Sequence, residues 1–132
     1  MRKIVATVAN TSELAEDGWN DPVKGRIGWR TLFSGDMTPT DGLTAGVAEV
    51  APGGWLGLHR HTPPEIYYVL EGQGIVTLDG VEQEVAAGSA VFIPGDCEHG
   101  IRNESERPLR FLYAFGVDAF AEVEYRFSEP LS

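Results

Sequence analysis

The stretch Gly53-Gly54-Trp55-Leu56-Gly57-Leu58-His59-Arg60-His61-Thr62-Pro63-Pro64-Glu65-Ile66-Tyr67-Tyr68-Val69-Leu70-Glu71-Gly72 constrains this chain more than any other. In an extended strand, side chains two apart share a face, so His59 and His61 project the same way. Pro63 and Pro64 have no N–H to give to a ladder, so the chain must bend after His61. Glu65 then enters a second strand with Tyr67 and Val69 on its face, and Ile66, Tyr68 and Leu70 on the other. Two His and one Glu are thereby aimed at a common point.

The chain has three His, and the last, His99, follows a similar run: Gly88, a short apolar strand, the turn Pro94-Gly95-Asp96, then His99 and, four residues on, Asn103. A bare H-x-H is a weak signal, and a lone His is more often a satisfied core or surface residue. Here the whole histidine content falls into two segments with matching glycine and proline punctuation. Three imidazoles and the Glu65 carboxylate suit one divalent transition metal per chain, Fe, Mn, Ni, Co, Cu or Zn, with room left for water or substrate. The ligand types do not choose among these metals.

The first segment resembles the first cupin motif, G-x5-H-x-H-x3-E-x6-G, through Gly53, His59, His61, Glu65 and Gly72. The second resembles the second cupin motif, G-x5-P-x-G-x2-H-x3-N, through Gly88, Pro94, His99 and Asn103. Asp96 stands where that motif has its second glycine; Asp tolerates turn conformations well. The resemblance implies an all-β fold, a single-domain cupin of the small double-stranded β-helix or jelly-roll kind. Its four metal ligands, His59, His61, Glu65 and His99, would point into the barrel. The domain is expected to span 1–132, with an N-terminal strand and loop over 1–25 and a barrel core over about 26–127. A homodimer, with N-terminal strands pairing across the interface, is also implied.

Composition fits one such domain: 132 residues suffice for a single core. A net charge of −10 argues against nucleic acid and anionic membrane as partners. Cys97 is the one cysteine, so no internal disulfide can form, and a bystander role is expected because no further His is left to activate it. The N-terminal apolar run is too short and interrupted for a signal peptide, and no stretch has the length of a membrane-spanning helix. A soluble, cytoplasmic protein is expected.

Turn signals recur at the short spacing of an all-β chain. Strands are expected at Lys3 to Val8, Arg26 to Phe33, Leu43 to Val50, Gly74 to Leu78, Val81 to Val85, Ser89 to Ile93, Gly100 to Arg102, Leu109 to Phe115 and Glu122 to Phe127. Thr11 to Lys24 reads as a loop that can hold a helical turn, and Asp118 to Ala121 as one helical turn. Asp79-Gly80 marks a type I′ hairpin.

Tyr67 shares its face with Glu65, so its phenol is expected near the metal, where a dication would lower its pKa toward that of a base. A core role for a strand aromatic is the alternative. A narrower resemblance weighs on this. Gly42 to Gly54, the run His59-x-His61-x3-Glu65-Ile66-Tyr67, and Phe120-Ala-Glu-Val-Glu-Tyr125 resemble the small cupin dimethylsulfoniopropionate lyases. That resemblance implies Tyr67 as catalytic base, Tyr125 as its assistant, and β-elimination to dimethyl sulfide and acrylate. The substrate sulfonium would sit against aromatic faces, with Trp29, Trp55, Tyr113 and Phe115 as candidates. The same ligands also serve cupin Fe(II) dioxygenases, the same barrel serves isomerases, and a non-catalytic cupin that binds a metal or small molecule is a further reading.

Overall fold

A computed structural model describes residues 3–128, so the first two and last four positions of the expected domain lie outside the described residues. Among these residues eleven strands carry the fold: β1 (Asp17–Asp21), β2 (Gly25–Phe33), β3 (Thr44–Val50), β4 (Trp55–Arg60), β5 (Glu65–Glu71), β6 (Gln73–Leu78), β7 (Val81–Ala86), β8 (Ala90–Ile93), β9 (His99–Arg102), β10 (Leu109–Phe115) and β11 (Arg126–Phe127). All pair antiparallel into one curled sheet in the order β7-β6-β9-β4-β2-β3-β10-β5-β8, with β1 beside β2 and β11 beside β4. The all-β jelly-roll barrel inferred from the motifs is the architecture observed. Among the described residues no helix is long and apolar enough to cross a membrane.

The alternation that defines the strands also fills the interior. Along β10, Leu109, Phe111, Tyr113 and Phe115 are buried, and along β5 Glu65, Tyr67 and Val69 are buried while Ile66, Tyr68 and Leu70 are exposed. Register sets these two rows side by side, with Tyr113 opposite Tyr67 and Phe115 opposite Glu65. Turn chemistry holds the register. Asp79 and Gly80 take φ of 47° and 82°, the two positive values a type I′ turn needs between β6 and β7. Asp96 takes φ of 63°, the left-handed conformation that the motif ordinarily gives to glycine, and its N–H donates to the His61 carbonyl at 2.8 Å.

Asn103 explains its place in the motif. It is buried, its amide donates to the carbonyls of Val50 (2.9 Å) and Arg107 (2.7 Å), and its carbonyl oxygen accepts from the N–H and hydroxyl of Ser105. Asn103→Ala is expected to strand these groups and lower unfolding stability by about 3 kcal/mol, read from urea denaturation midpoints.

Three expectations need correction. Lys3 to Val8 forms no strand: Ile4, Val5 and Val8 are exposed, and no strand among the described residues pairs with them. The segment read as a loop up to Lys24 contains β1, which folds back on β2 through a turn in which the Asp21 carboxylate accepts the N–H groups of Val23 and Lys24. Its Asp, Gly and Asn content masked a hairpin. The last strand is reduced to Arg126–Phe127, because residues 120–122 form a 3-10 turn instead, later than the turn expected at 118–121. The Glu122 carboxylate accepts the N–H groups of Asp118 (3.2 Å) and Ala119 (3.3 Å), which closes that turn.

Candidate metal centre

Pairing of β4 with β9 puts His59 directly opposite His99, His61 follows in the bend after β4, and Glu65 opens β5. All four side chains are buried. Each imidazole is fixed by a backbone carbonyl two residues away: His59 Nδ1 lies 2.7 Å from the Gly57 oxygen, His61 Nδ1 2.8 Å from that of Pro63, and His99 Nδ1 2.8 Å from that of Cys97. A carbonyl can only accept, so Nδ1 carries the proton in each ring and Nε2 presents a lone pair to the interior. Backbone carbonyls are the usual partners that orient imidazole ligands.

The ligand atoms of His59, His61 and His99 lie within 4.8 Å of one another. Glu65 Oε1 is 3.1 Å from His61 Nε2 and 3.3 Å from His99 Nε2. Among the described residues neither His59 Nε2 nor His99 Nε2 has a hydrogen-bond partner, the contact with Glu65 notwithstanding. Buried lone pairs that face one another and a carboxylate repel unless a positive charge sits between them. These residues therefore fit a metal ion, and the three histidines form a group that could bind one.

Burial, reinforced by the neighbouring His99 and His61, pushes the His59 pKa from 6.5 down to about 3, so this ring is neutral in the folded chain. In the metal-free protein an unfolded chain would bind a proton here that the folded chain refuses. Stability linked to His59 is thus present above about pH 6.5 and lost as pH falls toward about 3. Urea midpoints of metal-free protein should drop from pH 7.5 to 5.5; identical midpoints would contradict this.

Beside the three rings lies a narrow cavity of about 30 Å³, room for about two water molecules. Tyr67, Tyr113 and Tyr125 line it together with Glu65. Of the aromatics expected in a pocket, Trp29 and Tyr113 line it. Trp55 does not line it, and Phe115 sets its ring edge against His61 at 5.2 Å. Trp19, Phe111 and Phe120 also line the cavity without having been singled out. Trp19 lay in the misread loop, where a mirrored strand pattern about Asp21 to Gly25 was the available signal.

Tyr67 is fully enclosed, its ring 4.5 Å from Phe111 and 6.3 Å from the His99 ring. Burial, and next the Glu65 carboxylate, hold its pKa well above 10, so in the chain alone the group is a neutral phenol. Tyr125, two residues before the Phe127 that pairs with His59, stacks on the His59 ring at 4.8 Å. Burial of its phenol raises its pKa likewise. Cys97 is buried with its thiol pKa raised by burial and by Asp79, as suits a bystander, and its carbonyl is the one that orients His99.

The model of the cupin domain matches residues 46–115. The chain is 50% identical over 111 residues to dimethylsulfoniopropionate lyase DddW of Ruegeria pomeroyi, covering 84% of this chain and 72% of that protein. The polyketide cyclase RemF of Streptomyces resistomycificus superposes with a TM-score of 0.81 at 23% identity, covering 97% of this chain and 89% of that one. A chain from the crystal structures of the DMSP lyases RdDddP and RnDddQII superposes with a TM-score of 0.68 at 23% identity, covering 94% of this chain and 61% of that one. The domain match spans more than half of the chain, and with the 50% identity to a lyase covered over 72% of its length, the chain belongs to the cupin family.

Proposed function

We propose that this chain is a metal-dependent carbon–sulfur lyase that cleaves dimethylsulfoniopropionate to dimethyl sulfide and acrylate by β-elimination. The observation that carries the reading is the 50% identity, across 84% of the chain, to a lyase of that name. The enclosed phenols beside the histidine group give it a chemical basis. When bound by His59, His61, Glu65 and His99, one divalent transition ion, Fe, Mn, Ni, Co, Cu or Zn, supplies positive charge that favours an ionised phenol and stabilises charge developing beside the substrate carboxylate.

Tyr67 is the base in this reading: its oxygen takes the proton from the carbon next to the carboxylate. The electrons of that C–H bond become the second bond of the alkene, and the bond from the β-carbon to sulfur breaks. Sulfur keeps that pair and leaves as a neutral thioether, and the proton on Tyr67 returns to solvent. Tyr125, held flat on His59, forms the adjoining wall and assists. The faces of Trp19 and Trp29 suit the substrate's sulfonium.

The reading extends to one cupin domain over 1–132, acting in the cytoplasm as a homodimer. The dimer is supported by an exposed apolar face in which Ile66 and Tyr68 of β5 lie beside Phe92 and Ala90 of β8, and by the exposed Ile4, Val5 and Val8 of the N-terminal segment. Headspace gas chromatography of metal-reconstituted protein incubated with dimethylsulfoniopropionate tests the function. Dimethyl sulfide with a matching yield of acrylate is expected. No product with any of the six metals would reject the lyase reading and direct attention to oxygen uptake.

A further inference from the structure

A third phenol faces the cavity and has no part in the chemistry above. Tyr113 is 5% exposed, and its hydroxyl is buried without a hydrogen-bond partner among the described residues. The Thr31 side chain is near enough to ease its ionisation, but the two hydroxyls fall short of hydrogen-bond geometry. Burial dominates and holds the group in its neutral O–H form.

The position is shaped by a glycine. Across the sheet, Gly46 of β3 lies between Thr31 of β2 and Tyr113 of β10, with Tyr67 of β5 next in the row. A Cβ at Gly46 would collide with the Tyr113 hydroxyl, so the missing side chain makes the space that the phenol occupies. A polar group enclosed without an acceptor is costly to the folded state, and the cost is relieved when a ligand brings the acceptor.

We propose that Tyr113 is a substrate-binding residue whose hydroxyl donates a hydrogen bond to the carboxylate of the substrate. This rests on the lyase reading, and the chemistry of that substrate narrows the choice. A sulfonium has no oxygen or nitrogen to accept a hydrogen bond, so the carboxylate is the acceptor available to a buried O–H. Tyr67 and Tyr113, neighbours across two strands, thereby divide the work between proton removal and anchoring.

The test compares metal-reconstituted wild type with Tyr113→Phe, using dimethylsulfoniopropionate for turnover and calorimetry with two fragments. Acrylate carries the carboxylate without the sulfonium, and trimethylsulfonium the reverse. Tyr113→Phe is expected to raise KM and the acrylate Kd about tenfold, to change kcat less than about threefold, and to leave trimethylsulfonium binding unchanged. Its Tm should equal or exceed that of wild type, since an unpaired buried hydroxyl has been removed. Gly46→Ala, which displaces the phenol without deleting it, should weaken acrylate in the same direction.

An unchanged acrylate Kd in Tyr113→Phe would overturn the proposal, as would a fall in kcat at constant KM. If wild type releases no dimethyl sulfide, the lyase reading alone fails and calorimetry still decides. Weaker acrylate binding by the variant then supports the anchoring role. Equal binding, or none by wild type, overturns it.

Discussion

Tyr67→Phe is expected to retain about one metal ion per chain and to lower turnover of dimethylsulfoniopropionate by about a hundredfold or more, the scale of a lost general base. The substitution deletes one oxygen and leaves the ring that packs on Phe111 at 4.5 Å. Since Tyr67 is enclosed on every side, its hydroxyl is spent either on the fold or on the reaction, and the variant separates the two. A fold role predicts a lowered Tm with residual activity in proportion to folded protein. The catalytic role predicts a folded, metal-loaded protein that binds acrylate and releases no gas. Tyr125→Phe should fall less, because its ring keeps the stack on His59 whether or not the oxygen is present. Metal analysis and headspace chromatography on the same samples check both variants. Activity of Tyr67→Phe within a few-fold of wild type would remove the tyrosine base.

The contrast between the two ends of the chain shows what one sequence exposes. The convergence of His59, His61 and Glu65 was legible because its geometry is local: two His at strand period, a double proline, and Glu65 at the next strand's first residue. His99 needed one further step, a turn whose residues permit positive φ, and Asp96 takes that conformation. The Asp79-Gly80 hairpin was legible for the same reason. The cavity wall was only half legible, since Trp19, Tyr113 and Phe120 arrive from segments far apart in the chain. Their meeting depends on register, such as Tyr113 opposite Tyr67 and Trp19 opposite Ile27, which no single strand's pattern encodes. The two ends were misread for another reason. Val5 and Val8 have strand-like character but pair with no strand among the described residues, and Glu122 to Tyr125 alternate like a strand, yet the Glu122 carboxylate bonds back to the N–H groups of Asp118 and Ala119 and residues 120–122 form a turn.

His61→Ala is expected to weaken metal binding at least about a hundredfold and to abolish lyase activity with it. His61 is the ligand candidate that touches most of its neighbours: its Nε2 is 3.1 Å from Glu65, and its ring meets Phe115 at 5.2 Å and Tyr125 at 5.3 Å. Alanine removes one lone pair, frees the Glu65 carboxylate to turn, and opens a space into which water can pass. Metal should therefore raise both stability and function in wild type and neither in the variant. Without metal, wild type carries the repulsion among imidazole lone pairs and the Glu65 oxygen, and the variant is relieved of part of it, so the cost of the lost packing is partly offset. With metal, wild type gains stability by mass action and the variant does not, so the gap in Tm between them widens as metal is added. Cys97→Ser supplies the control: the backbone carbonyl that orients His99 is untouched, and metal binding should match wild type. Titration of both variants with Mn, Fe, Ni and Zn, followed by thermal melts and elemental analysis, reads the difference. A His61→Ala protein that binds metal as tightly as wild type would show that the imidazoles converge for packing rather than for an ion.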